Sequence, residues 1–188
     1  FQRMNTHPEE TKEDTVKKVV PLSDTGLENV TVLNLQKTFL AKYSLAEIRA
    51  ILKMLLPFSD PSATNTINGF LRKADDLYSR YYIYNYFAAI NKKNPEKAWK
   101  DFSEKIVEVN KKFNTSSVPG YETERGFMYL RYGAPTDVVT VLNENGAVPY
   151  EIWQYNVLIQ MNKKEMSDAF LLFYRPYQVS GDYRLLHS

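Results

Sequence analysis

Carboxylates and guanidinium groups set close together are the raw material of acid-base catalysis, anion clamps and buried ion pairs. One stretch concentrates them: GYETERGFMYLRYGAP, residues 120–135, with Glu122, Glu124, Arg125 and Arg131 among Gly120, Gly126 and Gly133. Two carboxylates straddling a bond can divide general acid and base duties, and Glu122/Glu124 and Asp137/Glu151 are the pairs that invite this reading. Sequence spacing fixes neither separation, and carboxylate pairs are common on surfaces.

Read as a strand, RGFMYLRYG alternates, with Phe127, Tyr129 and Arg131 on one face and Met128, Leu130 and Tyr132 on the other. Arg131 then needs a partner, and Glu151, flanked by Tyr150, Ile152 and Trp153, is the expected one. Such a pair is either an active-site clamp or, the preferred reading, a structural pair that fixes sheet register. Locally, Thr123 is placed to cap or brace the turn and Glu124 to pair with Arg125. Gly133-Ala134-Pro135 has the form of a tight exit turn, and no phosphate-cradling glycine pattern is present.

His7 and His187 are the two histidines, set near opposite ends without metal-ligand spacing. The serines lack a nucleophile elbow, and the absence of cysteine removes disulfides and thiolate chemistry. No cofactor or metal is expected. Aromatic residues are abundant, many of them in the second half; most are expected in the core and in cross-strand pairs. The candidate binding surface is drawn from Tyr121, Glu122, Arg125, Tyr150 and Trp153, for a sugar ring or a peptide strand.

The elements that must position these groups are legible from periodicity. At 188 residues, with 44% apolar and 24% charged residues, the chain suits one main domain. No apolar run approaches the roughly 18 residues of a membrane span. Net charge is +2, and the bases are interspersed with acids, which argues against a nucleic-acid footprint. The start at Phe1 suggests an excised part of a longer protein.

Residues 1–40 are expected to form an extended arm or linker from an upstream domain, its first 35 or so residues holding one or two short strands. Ser44 and Glu47 have capping-box spacing for a helix over 45–55, with Tyr43 placed to staple onto Ile48. Apolar residues from Ile67 through Phe70, Leu77 and Tyr84 to Phe87 predict one long helix over 64–91. Asn94-Pro95 opens another over 95–113, packed on it as a hairpin. Beyond NTSSVPG the period turns alternating, predicting an antiparallel sheet over 123–188 with a turn at Asn145-Gly146. The expected fold is α+β, an N-terminal arm and helical hairpin packed on a small sheet.

The assembled residues resemble the GWxTD domain family, found chiefly in Bacteroidota. Gly120-Tyr121-Glu122-Thr123-Glu124, followed by Arg125-Gly126, matches its motif, with Tyr121 standing for tryptophan and Glu124 for aspartate. YLRYGAPTDV, which includes Arg131, Gly133 and Pro135, continues the likeness, as do PYEIWQY with Glu151 and Trp153, and the closing GDYRLLHS. Together with the preceding helix these cover about residues 65–188. The resemblance implies an exported or envelope protein with further domains upstream, and it carries over no catalytic residue.

The leading expectation is a non-catalytic interaction or scaffolding domain of a bacterial cell-envelope or secreted protein, whose partner is a protein or an upstream domain. The location would be periplasmic, outer-membrane-associated or secreted. A glycan- or peptidoglycan-binding module stacking on Trp153, Tyr150 or Tyr121 is the alternative. A hydrolase using Glu151, Asp137 and His187 ranks third.

Overall fold

The computed structural model describes residues 34–160, 163–176 and 182–187. Most of the expected arm, with its short strands, lies outside the described residues. Its last residues form two short 3-10 turns, Leu35–Lys37 and Phe39–Lys42. Leu40 is fully buried, and the Arg80 guanidinium donates to the carbonyl oxygens of Leu40 and Tyr43, which ties this segment to the helices.

Helix α1, Leu45–Leu55, opens on the expected capping box: the Ser44 hydroxyl accepts from Glu47 N–H while the Glu47 carboxylate accepts from Ser44 N–H at 2.7 Å. Its buried face is Ile48, Ile51, Leu52 and Leu55. The helix expected over 64–91 is two helices, α2 over Pro61–Lys73 and α3 over Asp76–Ile90. Ala74 adopts the left-handed conformation (φ 52°), and Asp75 caps α3 by accepting from Tyr78 N–H at 3.0 Å. The apolar stripe runs across this break because two helices packed on one core share its spacing. The Asp75 cap is the local signal that outweighs it.

Helix α4, Pro95–Phe113, starts at Asn94 as expected and buries Ala98, Phe102, Ile106, Val109 and Phe113. α3 and α4 pack through aromatic rings, with Phe87 centred 5.4 Å from Trp99 and 5.5 Å from Phe102. Trp99 satisfies its indole N–H on the Tyr43 hydroxyl at 2.9 Å.

The next element departs from expectation. Residues Glu124–Tyr132 form helix α5, not a strand. Thr123 caps it, Glu124 lies in its first turn where a negative charge suits the helix dipole, and Gly133 (φ 83°) ends it by donating to Tyr129 O. Gly126 and Leu130, four residues apart, form its buried face. The strand-like alternation was a coincidence of composition, overruled by caps at both ends.

The sheet therefore begins at Asp137 and not near 123. Strands β1 (Asp137–Val141), β2 (Tyr150–Ile159), β3 (Glu165–Tyr174) and β4 (Arg184–His187) pair antiparallel in the order β1-β2-β3-β4. Gly146 takes positive φ in the β1–β2 connection, where Glu144 bridges Ala147. The architecture is α+β, five helices followed by a four-stranded antiparallel sheet. Glu151, Trp153 and Tyr155 face the helices from β2, and Trp153 lies 5.6 Å from Phe113 and 4.7 Å from Phe173 between ring centres. Among the described residues, no helix is long and apolar enough to cross a membrane.

Candidate functional site

The motif segment leaves α4 through Asn114 and docks back against that helix. Two asparagine side chains hold it, one from α4 and one from its C-cap: Asn114 Oδ1 accepts from Gly120 N–H at 2.7 Å and Asn110 Oδ1 from Tyr121 N–H at 3.1 Å. Sequence reading missed both asparagines; their spacing of four at a helix C-terminus is the signal that was available. Thr123 Oγ1 donates to Gly120 O at 2.7 Å and accepts from Gly126 N–H at 3.1 Å, so one buried hydroxyl joins both glycines, and its bracing role is as expected. A Cβ on Gly120 would meet Val109 O at 2.5 Å, and one on Gly126 would meet Gly120 O at 1.8 Å. The two glycines are thus spent on backbone contact.

The charged groups of the motif radiate outward to different elements. Glu122 pairs with Lys53 of α1 at 3.0 Å. Glu124 pairs with Arg184 at 3.1 Å and accepts the Leu185 N–H of β4, so the expected Glu124–Arg125 pair does not form. Arg125 instead donates to Glu151 of β2 at 2.9 Å, with the two side chains 17% and 13% exposed. Its guanidinium also lies 4.1 Å from the Tyr183 ring centre and 5.6 Å from that of Phe113. The second oxygen of Glu151 accepts the Trp153 indole N–H at 3.2 Å.

The expected partner of Glu151 was Arg131, and this is corrected: on helix α5 the two arginines point to different surroundings. Arg131 Nε is buried without a hydrogen-bond partner, and its guanidinium lies 5.7 Å from the Tyr132 ring. Pro135 is half-buried and leads into β1, where Thr136 N–H donates to Gln154 O at 2.7 Å.

Of the five candidate binding residues, Tyr121 and Trp153 are buried, so their faces are closed to a ligand stacking from solvent. Tyr150 is half-buried and donates to Glu144 at 2.7 Å. The carboxylate pairs do not converge: Glu122 and Glu124 serve α1 and β4. Asp137 lies opposite Gln154, and Glu151 opposite Thr140, which puts the two acids on opposite faces of the sheet. Only the backbone of His187 is described, paired with Leu172, and His7 is outside the described residues. Among the described residues, no group of three His, Cys, Asp or Glu is placed to hold a metal ion.

Tyrosines supply the clearest shifts in acidity. Burial pushes the Tyr155 phenol well above its usual range, and nearby Tyr129 and Tyr132 add to this; its O–H donates to Gly133 O at 3.1 Å. Tyr121 is raised to about 12, first by burial and then by its hydrogen bond to Glu122. Both phenols are held neutral in the fold and ionise near pH 10 when unfolded. Their contribution is therefore fully present below about pH 10 and is lost as pH rises through the folded values. From neutral pH the urea midpoint is expected to hold up to that point and then fall, with Tyr155→Phe flattening the fall. A slope that Tyr155→Phe leaves unchanged would count against this.

No protein-family model, curated protein or solved structure matches the chain.

Proposed function

We propose that this chain is a non-catalytic interaction or scaffolding domain of a bacterial cell-envelope or secreted protein, built on the GWxTD pattern. The observation that carries this reading is the sheet face turned away from the helices. Register places Val139, Ile152 and Leu172 in one row across β1, β2 and β3, with Asp137, Gln154 and Phe170 in the next row. A one-sided antiparallel sheet ordinarily alternates apolar inward and polar outward; here the outward row through Val139, Ile152 and Leu172 is apolar too. Val139 is 49% and Phe170 53% exposed. Contiguous exposed apolar residues mark interaction surfaces.

The motif supports the same reading from the other side, because its glycines, Thr123 and the Arg125–Glu151 pair fasten α4, α5 and the sheet together. The domain is a braced platform that presents the outer sheet face to a protein. Envelope location follows from the resemblance. Photo-reactive residues placed at Val139 and Phe170, irradiated in the source cells, are expected to give discrete protein adducts from the envelope or secreted fraction. Adducts arising only from a control site on the polar face of α4, such as Lys105, would refute the surface assignment.

A further inference from the structure

We infer that a second copy of this chain adds at the outer edge of β1, joining the two sheets into one continuous antiparallel sheet. The inference rests on the interaction-domain reading above and names its partner.

The two edges of the sheet are treated differently. At the β4 edge the Leu185 N–H is taken by the Glu124 carboxylate, Arg184 adds a charge, and the register shifts between Leu172 and Phe173. Charge, irregularity and a capped N–H are the devices that keep an edge from pairing with another chain. Of these devices, β1 has a single charge at its first residue. Its ladder with β2 runs unbroken from Asp137↔Gln154 to Val141↔Tyr150, it contains no proline or lysine, and its one charge, Asp137, is at the very start. Asp137 through Thr140 are all exposed, and among the described residues no strand pairs with the outer edge.

A row of unpaired N–H and C=O groups is satisfied by another extended backbone. The residues of β1 favour its own copy. Antiparallel pairing centred on Val139 sets Val139 against Val139, Val138 against Thr140 and Asp137 against Val141, which are mostly cross-strand pairs of β-branched residues. Opposed residues share a face, so the outer row Leu172–Ile152–Val139 would run on through Val139, Ile152 and Leu172 of the second copy as one apolar row. The two Asp137 carboxylates would lie about 14 Å apart along the paired strands, beyond the screening length of about 8 Å at physiological salt.

The test uses the full 188-residue chain, which has no cysteine. Sedimentation over a wide concentration range is expected to show twice the chain mass. Val139→Lys and Val139→Glu, each folded by circular dichroism, are expected to sediment at the chain mass because like charges meet at the centre of the pairing. Mixing the two variants is expected to restore the doubled mass. In a separate variant, Val139→Cys supplies the only thiol and is expected to form a disulfide-linked dimer on mild oxidation, since directly opposed strand residues fall within disulfide reach. A wild-type chain at single mass throughout, or a doubled mass that Val139→Lys leaves intact, overturns the inference. If the chain is single but Phe170 still cross-links a different protein, the interaction reading survives and the self-pairing falls.

Discussion

Gly126→Ala is expected to leave little or no folded protein, because the added methyl carbon would sit 1.8 Å from Gly120 O and 2.7 Å from Gly120 C. Both are backbone atoms, and the segment that carries them is fixed by Asn114, Asn110 and Thr123, so neither partner can swing aside. Overpacking a core side chain costs about 1–3 kcal/mol. A backbone-on-backbone overlap should exceed that range, against a total stability of about 5–15 kcal/mol. Gly120→Ala, facing Val109 O at 2.5 Å and Asn110 Cα at 2.7 Å, is expected to be damaging but less so. Gly69 is the internal control. It lies within α2 with nothing within 4 Å of an added Cβ, so Gly69→Ala should stabilise by roughly 0.5–1 kcal/mol. Urea midpoints for the three variants check the ranking. A Gly126→Ala protein as stable as wild type would show that the motif is looser than its contacts imply.

What could be read from the chain divides by the range of the interaction. Ser44 with Glu47 and Asn94 with Pro95 announced their helices because each cap is complete within four residues. The Ala74 break stayed hidden because apolar spacing carries no information about a left-handed residue between two helices on one core. α5 was misread for the opposite reason: its short aromatic-rich run, Phe127 to Tyr132, can be laid on the two faces of a strand as readily as around a helix, and only the caps Thr123 and Gly133 betray a helix. β1 drew no attention because four of its five residues are exposed and it has little buried pattern to show. The Arg125–Glu151 pair spans 26 residues and depends on α5 being helical, so assigning a strand there led to the wrong arginine. The number of aromatics was visible; which of them face water was not, because burial of Tyr121 and Trp153 is set by α4 and β3 packing around them.

Glu151→Ala is the second substitution expected to act strongly, and the reason is the charge it leaves behind. Arg125 is largely enclosed, with the Tyr183 ring 4.1 Å and the Phe113 ring 5.6 Å away, so without the carboxylate its guanidinium keeps a desolvation cost with no compensating partner. Breaking one side of a buried pair costs about 3–5 kcal/mol, and residual exposure of both side chains argues for the lower end. Trp153 would lose the acceptor for its indole N–H as well. Glu151→Gln keeps an oxygen for that bond and should be milder. Arg125→Met with Glu151→Gln removes both charges while retaining bulk, and should recover much of the loss, because replacing a buried pair outright is often close to neutral. A double-mutant cycle on urea unfolding decides it. Strong coupling identifies the pair as the joint between α5 and the sheet, whereas additive effects would mean that each side chain acts through its own packing.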